Sequence, residues 1–447
     1  MRKRIFLIKR EIKGSKFILL EEVGSLDRLF KRKTLDNGIN LYIHSIDKFK
    51  TITVCAFIHQ NLDKSTATRT ALLPFVLKRG SHKFPSSRHI SVCLEELYGA
   101  DFGADIIKKG ERQIIQFFIE MANPKYTASE DKILDEGLAL FKDVILNPLT
   151  EGTAFKKDFV EQEKDVLKRN IEALFNDKFN YAIERCFQEM CKGEPFSVYK
   201  YGSVSDLPEI KSEDLYDFYK MVIKSRPMDI FVLGEVNEEQ IYEKLNSLFS
   251  NERQEEKIAS TVVVKEVERE KFVEEKQEVN QGKLSLGFRT GTRYGDEDFY
   301  ALVVFNSIFG GGPHSKLFQN VREKESLAYY AFSRLEKSKG LMLASCGIDF
   351  DKLEKTIEII KEQLNDIKEG RISDYEFESS KKSIINSYKE AEDSPAMIIS
   401  LYLDGIINSV EESIQEIIEK IRNVTKEDVV KVAQKVKLDT IYFLNKK

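Results

Sequence analysis

The sequence predicts an α+β protein built from two homologous domains, each an antiparallel-rich sheet with helices packed on one face. Three observations carry this. Strand-like alternating runs precede long amphipathic helices in both halves, a charged run divides the chain, and segments on either side of that run correspond. At 447 residues the chain also exceeds what one ordinary core supports, so two or more domains are expected.

The elements follow in order. The basic start, MRKRIFLIKREIKGSKFILL, has its apolar runs broken by charges, so no secretory segment is expected. Glu11, Glu21 and Glu22 argue against a transit peptide. No stretch reaches the roughly 18 apolar residues of a membrane span, and the cytoplasm is the expected compartment. INLYIHSI (Ile39–Ile46) and FKTITVCAFIH (Phe49–His59) read as paired strands, and RQIIQFFIEM (Arg112–Met121) as a third. Helices are expected over Glu130–Ile145 and Phe155–Phe175. SEDLYDFYKMVIKSRPMDIFVLGEV (Ser212–Val236) opens with a capping signal, continues as an amphipathic helix and closes on an apolar strand.

NERQEEK (Asn251–Lys257) has no apolar residue and reads as a linker. Beyond it, KLSLGFRTG (Lys283–Gly291) and GLMLASCGIDF (Gly340–Phe350) are strands, and Asp351–Lys368 and Asp374–Ala391 are helices. TKEDVVKVAQKVKLDTIYFLNKK (Thr425–Lys447) repeats the pattern of Ser212–Val236. FESSKKSIINSYKEAE (Phe377–Glu392) matches FVEQEKDVLKRNIEALF (Phe159–Phe175). A period of about 210 residues is too long for a solenoid and implies a duplication. The expected boundaries are 1–250, a linker at 251–261, and 262–447.

The net charge of −4 gives no electrostatic case for nucleic acid or an anionic membrane. Five cysteines without a C-x-x-C pair read as buried thiols in a reducing compartment.

FGGGPHSKLFQNVREKESLAYYAF (Phe309–Phe332) is the densest motif. It is not a phosphate loop, because Ser315 precedes Lys316 where Gly is needed and Leu317 follows where a hydroxyl is needed. On a packing reading, Gly310, Gly311 and Gly312 supply positive φ and stop a helix, and Ser315 caps the next. Leu317, Phe318 and Val321 then form its buried stripe. Arg322 and Tyr329 are seven apart, which places them on one face if that helix persists. Two donors aimed at one oxygen can hold a peptide carbonyl or a developing oxyanion.

The pattern from Asn306 to Tyr329 resembles the Arg/Tyr motif of the insulinase/pitrilysin/mitochondrial-processing-peptidase superfamily of inverzincin peptidases. That resemblance implies two homologous α+β domains facing each other as a clamshell. It also implies that Arg322 and Tyr329, with Tyr330 as the alternative tyrosine, bind substrate backbone near the scissile bond. The glycines at 310–312 would admit a peptide added as a strand.

The family's zinc motif, H-x-x-E-H, is missing: none of His44, His59, His82, His89 and His314 has a second histidine four residues away. TRTALLPFVLKRGS (Thr68–Ser81) fits the zinc helix, with Ala71 and Phe75 in place of the histidines and Pro74 in place of the glutamate. An interior proline is expected to disfavour a regular helix. Glu163 (or Glu161) stands at the distal-glutamate position and reads as a surface residue. No metal is assigned to this chain.

An Arg/Tyr motif kept beside a lost zinc motif resembles the non-metal subunit of bacterial two-chain members. DKFKT (Asp47–Thr51), LLPFVLKRGSHKFPS (Leu72–Ser86) and LEELYGADFGADIIKKGERQ (Leu94–Gln113) resemble such companion proteins. The implied role is a chain inactive alone, paired as a heterodimer with a homologous zinc-bearing subunit and acting on peptides. Homodimerisation is open to it when that partner is absent. The alternative is a peptidase-like binding or scaffold protein. A self-sufficient peptidase is disfavoured, since no ligand cluster replaces the missing histidines.

Overall fold

A computed structural model describes residues 29–127, 132–264 and 266–447. The basic N-terminal run lies outside the described residues.

The first half contains β1 (Lys31–Thr34), β2 (Asn40–Ser45), β3 (Thr51–Asn61), α1 (Ala67–Leu77), α2 (Ser87–Glu96), β4 (Asp101–Lys109) and β5 (Arg112–Ala122). It continues with α3 (Lys132–Leu146), a ribbon of β6 (Thr150–Glu151) and β7 (Ala154–Phe155), α4 (Lys157–Asn176), α5 (Lys178–Met190), α6 (Ser212–Ser225), β8 (Met228–Gly234) and α7 (Glu238–Leu248). The second half contains β9 (Lys271–Gln277), β10 (Gly282–Arg289), α8 (Phe299–Gly310), β11 (Ala328–Glu336) and β12 (Leu341–Ile348). Then come α9 (Leu353–Lys368), α10 (Asp374–Ala391), α11 (Pro395–Asn408), α12 (Ile414–Asn423), α13 (Lys426–Lys435) and β13 (Lys437–Lys446).

The sheet orders are β1-β2-β8-β3-β5-β4 and β9-β13-β10-β12-β11. Setting β1 aside, they are the same order, as a duplication requires. In each, the last strand inserts between the first two. The expected direct pairing of Ile39–Ile46 with Phe49–His59 is therefore wrong: β8 lies between them, parallel to β2 and antiparallel to β3. A strand arriving after several helices can take this slot because the β2–β3 connection leaves a gap one strand wide. Sequence periodicity carries no information on that.

Each sheet packs its own helices on one face, with Leu72, Phe141, Val160, Val222 and Leu245 in the first core. Phe305, Ile360, Phe377 and Val432 do the same in the second. The opposite faces are covered by an exchange. Helix α5, from the first half, lays Ile183, Cys186 and Met190 on Leu343 and Tyr442 of the second sheet. Helix α11, from the second half, lays Ile398, Ile399 and Leu403 on Phe57, Ile114 and Phe231 of the first. Gly287 permits the close approach of α5, since a Cβ there would meet the Met190 sulfur at 2.7 Å.

The hairpin tips of the two halves also meet. Lys339, fully buried, donates to Glu111 at 2.6 Å and to the Val262 carbonyl at 2.5 Å, and pairs with Glu194 at 2.6 Å. Glu194 also accepts from Arg289, which reaches Asp439 at 2.8 Å. Burial pushes the Glu194 carboxyl up, but Arg289 and Lys339 outweigh it and hold the pKa below the usual value. Four of the five thiols are buried and Cys93 is half-buried; all five are free. Among the described residues no helix is long and apolar enough to cross a membrane.

Candidate functional site

The helix at the zinc position forms despite its proline. Helix α1 runs through Pro74, and ten of its eleven residues are buried. An interior proline costs about 3 kcal/mol. Burial of Leu72, Leu73, Phe75, Val76 and Leu77, at roughly 1.5–3 kcal/mol each, exceeds that cost. The expected loss of regular helix is thus overturned by tertiary burial.

Positions 71 and 75 are four apart and share a face of α1, and Arg79 lies in the turn just past its end. Ala71 is 0% and Phe75 7% exposed, so the face is apolar and filled. Glu163, on α4, is also buried, at 5% exposure, and is not the surface residue its charged helix suggested. Its partner is Arg79, with Nε at 3.5 Å from Oε1. The Arg79 guanidinium stacks 5.5 Å from Phe159 and donates to Gln162. Burial raises the Glu163 pKa, and Arg79, Lys78 and Arg169 partly oppose the rise. A metal does not fit this face. Two of the three ligand positions offer hydrocarbon, and the third carboxylate already faces a cation. Among the described residues, no group of three or more His, Cys, Asp or Glu could hold a metal ion.

The Arg/Tyr segment differs from its expectation in two ways. Helix α8 ends at Gly310, but none of the three glycines has positive φ. Gly310 is small because β11 passes over it: a Cβ would sit 2.4 Å from the Ser333 nitrogen. The close approach is to the chain's own strand. Ser333 Oγ returns a bond to the Asn306 carbonyl at 3.1 Å.

The second difference concerns the helix itself. Leu317–Lys324 is π-helical, and it does not reach Tyr329. Ser326, at φ +50°, turns the chain, and the Leu327 N–H closes the end on the Val321 carbonyl at 2.9 Å. This is a Schellman-type stop widened by one residue for the π-turn. Tyr329 then falls on β11 at a register shift between Ala328 and Tyr330. Such a bulge re-aims a side chain. Arg322 and Tyr329 therefore come from a π-turn and a bulged strand, not from one helix face.

Both side chains are exposed. Tyr329 is 65% exposed and its hydroxyl donates to Asp349 at 3.4 Å. Arg322 lies over Phe318 at 4.6 Å and pairs with Glu323 at 3.6 Å. Tyr330 points the other way. It is half-buried against Phe179 at 5.1 Å, and burial raises its pKa. Of the two tyrosines, Tyr329 is the exposed one. His314 is buried beside Ser307 at 3.3 Å, and burial lowers its pKa. Strands β4 and β11 were not anticipated as sheet edges, although the run GADFGADIIKK carries a weak alternation.

A duplicated α+β chain with an apolar, filled face on α1 and exposed Arg322 and Tyr329 has the architecture of a peptidase-like protein. Residues 209–384 match the family model described as the Peptidase M16 inactive domain. The chain is 38% identical over 412 residues, 92% of its length and 97% of the other's, to the probable inactive metalloprotease YmfF of Bacillus subtilis. It belongs to the M16 peptidase family. It is 24% identical over 369 residues to YmxG, an uncharacterised zinc protease of the same organism, across 80% of this chain and 83% of that one. A crystal structure of a conserved protein from Enterococcus faecalis superposes with a TM-score of 0.86 at 31% identity, covering 94% of this chain and 99% of that one.

Proposed function

We propose that this chain is the metal-free subunit of a two-chain peptidase, contributing Arg322 and Tyr329 to a peptide held against a homologous zinc-bearing partner. The observation that carries the reading is a contrast in burial. The face that would bind metal has been filled with core, whereas Arg322 and Tyr329 stay exposed on two irregular backbone features. Irregular turns of this kind concentrate at functional sites. Similarity over 80% of this chain to a protein named as a zinc protease supports a zinc-bearing relative as the partner.

In this role the Arg322 guanidinium, always charged and forked, holds a peptide carbonyl, and the Tyr329 hydroxyl donates to the same backbone. Metal and nucleophile come from the partner. Neither donor is consumed, and their effect is to orient the peptide and stabilise charge as it develops. The test is cleavage of a labelled peptide by this chain, by a zinc-motif homologue encoded near it, and by their mixture. Cleavage only by the mixture, stopped by o-phenanthroline, is expected. Arg322→Ala should lower it at least 100-fold while co-elution of the two chains persists. No association and no cleavage would favour the scaffold alternative.

A further inference from the structure

The first sheet ends in β4, whose free edge is a candidate for strand addition. The loop after α5 lies across part of it. A two-residue turn, Gly110–Glu111, joins β4 to β5, with Lys109 opposite Arg112. Gly110 has φ +54°, as the first position of such a turn requires. In an antiparallel ladder, residues alternate between those bonded to the partner and those whose N–H and C=O point away. Lys109 closes the turn, so Ile106, three residues back, points its carbonyl to the free edge. That carbonyl accepts from Lys200 Nζ at 2.9 Å.

The neighbours on β4 show how the loop passes. Lys108 and Asp105 are three apart on a strand and face opposite ways. Lys108 Nζ donates to the carbonyls of Phe196 and Val198 at 2.9 and 3.1 Å. Asp105 accepts from the Tyr201 hydroxyl at 2.8 Å and lies 3.9 Å from Lys200 Nζ. Gln113 holds the Lys200 carbonyl at 2.6 Å on the Lys108 side. The backbone of the loop thus lies on one face, while the Lys200 and Tyr201 side chains wrap round the edge to the other. Both ends are anchored. Glu194 is held by Arg289 and Lys339 of the second half, and Ser203 N–H donates to Thr68 at 3.0 Å.

We infer that residues 195–202 are an intramolecular strap that closes the Asp105–Lys108 edge to pairing by an extended peptide, leaving peptide contact to the half that bears Arg322 and Tyr329. An incoming strand needs the Ile106 carbonyl, and the Lys200 ammonium already holds it. The closure concerns only this chain's own sheet edge, and the assignment of peptide contact to the second half rests on the function proposed above.

The test compares the full chain with Lys200→Met/Tyr201→Phe, which removes both edge contacts at similar volume. The probe is a mixture of fluorescein-labelled tryptic β-casein peptides, read by anisotropy. Hydrogen–deuterium exchange of residues 101–109 is followed in parallel. The expected result is at least ten-fold tighter binding by the variant, with probe-dependent slowing of exchange over 101–109 in the variant alone. Lys200→Asp, which sets a carboxylate against Asp105 and a carbonyl oxygen, forces the strap off if the milder change leaves it in place. Faster exchange at 101–109 without any gain in binding overturns the inference, as does unchanged exchange in both variants. Adding Arg322→Ala should leave the gain intact. Its loss there would place the peptide on the second half and also overturn the inference.

Discussion

Two arginines mark the difference between the halves. Arg79 lies in the first half beside a buried glutamate, in the turn that follows the helix bearing Ala71 and Phe75. Arg322 lies in the second half on a π-turn, stacked on Phe318 and paired with its neighbour Glu323. One has become part of the packing, and the other remains available to a ligand. The face that lost its metal donors took on the physics of a core, with apolar filling and a charge matched by a charge. The face that kept its donors has not been filled, and its backbone is still irregular.

The largest expected effect comes from trying to reverse the first half's history. Ala71→His, Pro74→Glu and Phe75→His together should destabilise the chain by more than about 4 kcal/mol, through overpacking and buried polar groups. Added zinc should not restore the melting temperature, because Arg79 already faces Glu163. A zinc-dependent rise of several degrees would show that the face has kept its metal geometry.

Arg79→Ala comes next. It leaves a carboxylate at 5% exposure without its partner, and a loss of about 1–3 kcal/mol in denaturant unfolding is expected. Arg322→Ala, at an exposed site, should stay within about 0.5 kcal/mol of the parent. Equal losses at the two sites would erase the contrast.

The pH dependence of Glu163→Gln gives a finer test. Burial raises the Glu163 pKa above its ordinary 4.5, so the folded state holds the proton more tightly than the unfolded one. The contribution of this group is fully present below 4.5 and is lost as pH rises through the raised value. The stability of Glu163→Gln relative to the parent should therefore climb across that window and then level off. A flat difference would mean that Arg79 cancels the burial completely. The smallest effect is expected for Tyr329→Phe, which removes one exposed 3.4 Å hydrogen bond to Asp349 and should leave the melting curve unchanged.

The sequence by itself determined the duplication, the α+β class, the helix at Asp374–Ala391 and the absence of the zinc histidines. Capping boxes, periodicity and residue identity are local properties, and these features need nothing more. It also marked Arg322 and Tyr329, through a dense motif. Tertiary structure alone decided the rest. The slot of β8 between β2 and β3, and the exchange of α5 and α11, depend on which sheet face lies free, and both faces read alike along the chain. Pro74 was read as a helix breaker because propensity is local, whereas the burial that overrides it comes from distant strands and helices. Glu163 was read as exposed because its helix is charged, yet its neighbour Arg79 is 84 residues away. Arg322 and Tyr329 share a face only if the helix persists, and i to i+7 spacing is silent about Ser326, whose left-handed backbone ends the π-turn and starts a strand. Spacing shows which residues can share a face, but only the packed chain decides where the element ends.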